Sequence, residues 1–539
     1  MKFSALAAAG AFLAGTVLAD VDEIVIKGSK FFYKTNGTQF FIRGVAYQEP
    51  ATSSNSFIDP LADINACNRD IPYLTAIRTN TIRVYGVDPT KDHSACMNAF
   101  AASDIYMIID LGSPTDSINR ASPSWEVPLY QRYTAVIDAF ANYTNVIGFF
   151  AGNEVTNNAS YTEASAFVKA AVRDSKAYVK QKGYNKGVGY ATADAQDIRL
   201  QVADYFNCHS ADESVDFYGD NVYEWCGTTA TFQTSGYNEI VKNYSSYSVP
   251  YFFAEYGCNT VKPRTFTNIE SMYGPDMQDM LNGGFVYEYF NEANDYGLVS
   301  LQGSSVSTRS DYNSFSTEIA KATPSGVVSA SYTPTNTALQ ACPTVDSVWK
   351  ASSSLPPTPN EALCNCMVAS LSCVVSDNVD SKNYGQLFDL IYGFGDTSYT
   401  AGISANATSG KYGAYSMCAV KDQLSWALNA YYQVQSAKGN GNNACDFSSS
   451  ATTQAATTSG SSCSTMLAAV GTAGTGSASG ASATGTGSSH TSSGAAYPGA
   501  SPQAVFVGTW QLSAYILAAL LSGGAMLLIL YYIGMLVKL

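Results

Sequence analysis

An α/β fold, a (β/α)8 TIM barrel followed by a small disulfide-rich and mainly helical module, is predicted by three features of this 539-residue chain. Residues 20–345 hold eight short apolar or β-branched runs with amphipathic stretches between them. The 12 cysteines fall into two groups of six, one dispersed over that region and one confined to residues 364–463. A proline-rich connector, 350–360, separates the groups.

The eight runs are 40–47, 81–87, 105–111, 146–155, 187–193, 216–223, 249–256 and 284–289. Period-3.6 patterning is clearest in 126–143 and 161–182, which are predicted helices. Eight strands alternating with helices over such a length is the pattern of a TIM barrel. The alternation also fits an open doubly wound sheet, but no G-x-G-x-x-G fingerprint follows any strand, which argues against the dinucleotide-binding version.

Composition narrows the function. Hydrophobic residues at 46% and aromatics at 12% support a large core and exclude disorder throughout. The formal net charge is −14 and no basic cluster exists, so nucleic acid is not an expected partner. The three histidines, His93, His209 and His490, stand apart, so neither a metal nor a cofactor is expected.

The ends read as targeting segments. Residues 1–19 resemble a signal peptide, with Val17-Leu18-Ala19 before the cleavage point. Residues 447–537 contain no Asp, Glu, Lys or Arg. Within that stretch, 466–504 is a Ser/Thr/Gly/Ala-rich linker suited to O-glycosylation, and 505–539 is a hydrophobic tail. Small residues, a spacer and an apolar tail make a GPI signal, with Ser493 as the attachment residue; a permanent transmembrane helix is the alternative. The expected layout is therefore 1–19 signal peptide, 20–345 barrel, 346–361 linker, 362–465 six-cysteine module, 466–504 linker and 505–539 tail. A secreted route suits six disulfides and five sequons, at Asn36, Asn142, Asn158, Asn243 and Asn406.

In a TIM barrel, chemistry sits at the C-terminal ends of the strands. Two runs end there in a single glutamate: VIGFFAGNE, closing on Glu154, and VPYFFAE, closing on Glu255. Glycosidic bond cleavage needs one carboxylic acid to protonate the leaving oxygen and one carboxylate to attack the anomeric carbon. Glu154 is assigned as acid/base and Glu255 as nucleophile. Asn153 is placed to bind a sugar 2-hydroxyl. Gln48, Tyr85, Asp110, Tyr223 and Tyr287 lie at the same end of other strands, and tyrosine suits sugars because the ring stacks while the hydroxyl hydrogen-bonds.

At this point the chain resembles a known family. Residues 190–194 (YATAD), 216–226 (DFYGDNVYEWC), 252–258 (FFAEYGC) and 285–290 (FVYEYF) are similar to the fungal β-1,3-glucanosyltransferases of glycoside hydrolase family 72. The six-cysteine region resembles the carbohydrate-binding module of family 43. The resemblance implies an enzyme that cuts inside a donor β-1,3-glucan and passes the retained piece to the non-reducing end of an acceptor glucan. It implies Glu154 as acid/base and Glu255 as nucleophile. Tyr85, Asp110, Asn153, Asp194, Arg199, Tyr223, Tyr287 and Gln48 become substrate-binding candidates. It also implies disulfides Cys67–Cys96, Cys208–Cys342, Cys226–Cys258 and Cys364–Cys418, and leaves the other four cysteines unassigned. Transfer rather than hydrolysis is not visible in the residues themselves; an endo-β-1,3-glucanase and a non-catalytic glucan-binding wall protein are the alternatives.

Overall fold

The computed structural model describes residues 21–50, 57–457 and 460–477. The signal segment, Ser493 and the hydrophobic tail lie outside these residues. Eight parallel strands close into a barrel: Ile42–Ala46, Thr81–Val84, Tyr106–Asp110, Val146–Asn153, Gly187–Ala193, Phe217–Val222, Tyr251–Tyr256 and Leu281–Val286. All eight expected runs supply one each. The two expected helices are present as Val127–Phe140 and Ala164–Lys182.

The barrel interior is aromatic at its base. Phe150, Phe217, Phe252 and Phe285 fill it, with Phe150 and Phe217 at 5.4 Å between ring centroids. Glycine makes room for them: a Cβ at Gly189 would lie 2.3 Å from the Phe217 ring. A three-stranded antiparallel sheet that the sequence reading did not anticipate, Ile24–Lys27, Lys30–Tyr33 and Gln39–Phe40, closes the N-terminal mouth. Its Phe31 packs within about 6 Å of both Phe217 and Phe252 (6.2 and 6.0 Å). Among the described residues, this plug covers the N-terminal end of the barrel and leaves the C-terminal ends of the strands as its mouth.

All twelve cysteines are paired. Besides the four bonds named above, Cys366 pairs with Cys463 and Cys373 with Cys445. The module has its own core, built on Leu363, Met367, Leu424 and Leu428 from helices Glu361–Ser370 and Val420–Ala437. It does not end at 465: helix Ser461–Val470 buries Val470, and Gly474 accepts a hydrogen bond from the Ala414 backbone. The expected linker therefore begins inside an ordered helix, because Met466, Leu467 and Val470 give it an apolar face.

Nor is the 346–361 connector a loose tether. Trp349 is fully buried against Tyr205, and Arg173 donates to the Pro356 carbonyl at 2.9 Å. Barrel and module share a seam in which the Val127 amide donates to Met417 O at 2.9 Å. Val127, a barrel residue, is part of the module's core. Among the described residues no helix is long and apolar enough to cross a membrane.

Candidate active site

Glu255 belongs to the seventh barrel strand, and a register shift precedes it. Phe253 pairs with Asp220, and Glu255 with Asn221, so Ala254 is an extra residue. Without that bulge, alternation would turn Glu255 outward, because Tyr251 and Phe253 face the helices while Phe252 and Ala254 face the lumen. The bulge re-aims the carboxylate into the barrel, a common use of such irregularities near active sites.

Three donors then grip it. Tyr85 OH donates to Oε1 at 2.9 Å, Tyr223 OH to Oε2 at 2.7 Å, and Arg83 Nη1 to Oε1 at 3.3 Å. Arg83 is completely buried and also holds Asp110 through two contacts of 3.1 and 3.2 Å. Its guanidinium stacks over the Tyr85 and Phe150 rings, and these partners keep it firmly protonated despite burial. Burial pushes the Glu255 carboxyl up to about 7; Arg83 opposes this, the Glu154 charge adds to it, and Tyr223 and Tyr85 oppose it again. Burial raises both tyrosines well above their usual value, so they remain donors.

Glu154 follows the fourth strand in a left-handed conformation, φ 50°. Such a conformation is costly for a residue with a Cβ and persists only when its surroundings hold it. Here the Glu154 amide donates to Ala191 O at 2.8 Å, and its carbonyl accepts from Arg120 Nη2 at 2.7 Å. Its side chain is held by Asn221, whose Nδ2 donates to Glu154 Oε1 at 2.8 Å and to Asn153 Oδ1 at 3.2 Å.

The remaining candidates separate into two sets. Tyr287 meets Tyr85 and Tyr223 edge-on, each at 6.4 Å between centroids, and completes a tyrosine wall with Tyr296. Asp110 reaches Glu255 only through Arg83. Gln48 donates to Ile58 O at 2.7 Å and touches neither carboxylate. Asp194 and Arg199 form an ion pair with each other beside the buried carboxyls of Glu224 and Asp220. Burial and the Asp194 charge raise both of those carboxyls well above the usual range.

Asn221 and Arg120 were not among the expected site residues. Asn221 had a legible signal: it lies two residues before Tyr223, which directly follows the sixth strand, so extended chain puts both on one side. Arg120 had none, since it lies in irregular chain between the third strand and helix Val127–Phe140.

Two carboxylates at the C-terminal end of a (β/α)8 barrel, near enough for the charge of Glu154 to raise Glu255 and set beside a wall of tyrosines, define a carbohydrate-active barrel of the glycoside-cleaving class. Comparison with known proteins places it more narrowly. The glucanosyltransferase family (Glyco_hydro_72) matches residues 14–323, and the X8 domain matches 371–452. A 1,3-beta-glucanosyltransferase of Arthroderma benhamiae is 51% identical over 98% of this chain and 100% of its own length. The 1,3-beta-glucanosyltransferase gas1 of Schizosaccharomyces pombe is 45% identical over 87% of this chain and 86% of its own. Saccharomyces cerevisiae Gas2p, solved as a mutant in complex with laminaritetraose and laminaripentaose, matches with TM-score 0.72 and 40% identity, covering 80% of this chain and 94% of that one. The chain belongs to the glucanosyltransferase family.

Proposed function

We propose that this chain is a retaining 1,3-β-glucanosyltransferase that elongates wall glucan. The observation that carries the reading is the pair Glu154 and Glu255, held by separate donor sets at the open mouth. In the first half-reaction a Glu255 oxygen attacks the anomeric carbon of an internal β-1,3-linked glucose. Glu154 gives its proton to the departing oxygen, and the reducing-end fragment leaves. The donor piece is then an ester on Glu255. In the second half-reaction Glu154 takes the proton from the 3-hydroxyl at an acceptor's non-reducing end, and that oxygen displaces Glu255 from the same face of the sugar. Two inversions give retention. Arg83, Tyr85 and Tyr223 fix the attacking carboxylate and receive it back when the ester breaks. Asp110 holds Arg83 in place. Tyr85, Tyr223 and Tyr287 line the donor site, and Asn153 presents its amide hydrogens to a sugar hydroxyl. Gln48, Asp194 and Arg199 shape its margins.

Transfer must outcompete water at about 55 M, which requires an acceptor held with large effective molarity. Incubation with a reduced laminari-oligosaccharide tests this. Products longer than the substrate support transfer; only shorter products mean an endo-glucanase, and none means a binding protein. Attachment at the outer membrane face by a GPI anchor, with Ser493 as its site, follows from the tail composition. Release by a GPI-specific phospholipase supports that attachment, and retention in the membrane refutes it. Exposed Asn36, Asn142 and Asn406 are the most accessible glycosylation sites, with Asn158 and Asn243 partly covered.

A further inference from the structure

Asn221 touches the Glu154 side chain while its backbone neighbours Glu255 in the sheet. It is 4% exposed, and its strand pairs on one side with the fifth strand at Ala193 and on the other with the seventh at Glu255. Its Nδ2 carries two hydrogens, and both are committed: one to Glu154 Oε1 at 2.8 Å, the other to Asn153 Oδ1 at 3.2 Å. An amide nitrogen can only donate. Oε1 of Glu154 is therefore held as an acceptor, and because a carbonyl oxygen accepts better than a carboxylic hydroxyl oxygen, a proton on this carboxyl is favoured on Oε2.

We propose that Asn221 is a positioning residue that assigns the proton-transfer role to a single oxygen, Oε2 of Glu154. This inference rests on Glu154 being the acid/base. The same oxygen then gives a proton to the leaving group and takes one from the acceptor hydroxyl, so donor and acceptor oxygens must occupy one place in succession. The clamp also restrains the side chain of this left-handed residue: its backbone is held through both its amide and its carbonyl, and Asn221 holds one carboxylate oxygen. By donating to Asn153 Oδ1 as well, Asn221 fixes that amide's oxygen and leaves its hydrogens for other partners.

The test compares two donors in one preparation. One is a laminari-oligosaccharide, whose leaving sugar alkoxide needs protonation. The other is a laminari-oligosaccharide carrying 2,4-dinitrophenol at its reducing end, whose phenolate leaves unaided. Their rate ratio does not depend on the fraction of folded enzyme, so partial misfolding cannot mimic the result. General acid catalysis contributes about 10²–10⁴-fold. Asn221→Ala and the near-isosteric Asn221→Leu are each expected to slow the natural donor at least about tenfold more than the activated one. Equal losses on both donors, or no loss, would overturn the proposal. Glu154→Ala is run beside them. If it too shows no selectivity between donors, the acid/base assignment itself fails; if it shows selectivity and the Asn221 variants do not, only the role of Asn221 fails.

Discussion

Glu255→Gln is expected to abolish turnover and to stabilise the fold above neutral pH. The carboxyl is 7% exposed, and burial lifts it from 4.5 in the unfolded chain to about 7 in the folded one. Between those values the folded protein keeps a proton that the unfolded chain has released. The direction follows: Glu255 costs nothing below pH 4.5, its cost grows as pH rises, and it levels off above 7. Each tenfold change in proton affinity is worth about 1.4 kcal/mol, so the full cost is about 3 kcal/mol. Glutamine has nearly the same shape and cannot ionise. Thermal or guanidinium unfolding of parent and variant at pH 4.5 and pH 8, read by tryptophan fluorescence, should show little difference at the lower pH. At the higher pH the variant should be more stable by up to about 3 kcal/mol. Buried carboxyls that do not interact with Glu255 contribute equally to both proteins and cancel; Glu154 and Glu288, which feel its charge, are relieved of it in the variant, a change of the same sign. If the variant gains nothing at pH 8, or loses stability, then Arg83, Tyr85 and Tyr223 outweigh burial and Glu255 is not a destabilised charge.

Three further outcomes are expected. Tyr223→Phe removes a 2.7 Å hydrogen bond to a charged oxygen, worth about 1.5–3 kcal/mol. Activity on laminari-oligosaccharides should fall about 10–100-fold, and the acid limb of kcat/KM should move to higher pH because the carboxylate has lost a donor; an unmoved limb refutes the role given to Tyr223. Gly283→Ala places a Cβ 2.1 Å from Ile42 O at a φ of 89°, and should cost several kcal/mol, read as a large fall in Tm or as insoluble protein. Glu126 is half-buried at the barrel–module seam, where it accepts from Gln423 at 3.3 Å, and loss of solvent around its carboxyl pushes it up to about 7. Glu126→Gln should therefore make the module harder to release by limited proteolysis at pH 8 while changing little at pH 4.5; equal protection at both values would show that Glu126 does not load the seam.

The barrel was legible in the sequence because parallel strands are buried on both faces and so appear as continuous apolar runs. Glu154 and Glu255 were legible for the same reason: a charge ending such a run cannot be there for packing. Much of the tyrosine wall was also visible, since Tyr85, Tyr223 and Tyr287 recur at the same end. What the one-dimensional pattern could not hold was anything that depends on breaking its period or on joining distant segments. Strict alternation would have aimed Glu255 away from the lumen, and only the extra residue Ala254 turns it inward. The plug that seals the barrel base is made of strands two to four residues long, too short to carry a periodic signal. Cys366–Cys463 and Cys373–Cys445 needed three-dimensional proximity, because chain spacing alone permits several pairings. The same holds at the chemical centre. The sequence by itself singled out Glu154 and Glu255 as the candidate pair. Tertiary structure alone decided their surroundings, because Arg83, Arg120 and Asn221 reach them from other strands and loops, and a hydrogen bond is set by distance in space rather than by spacing along the chain.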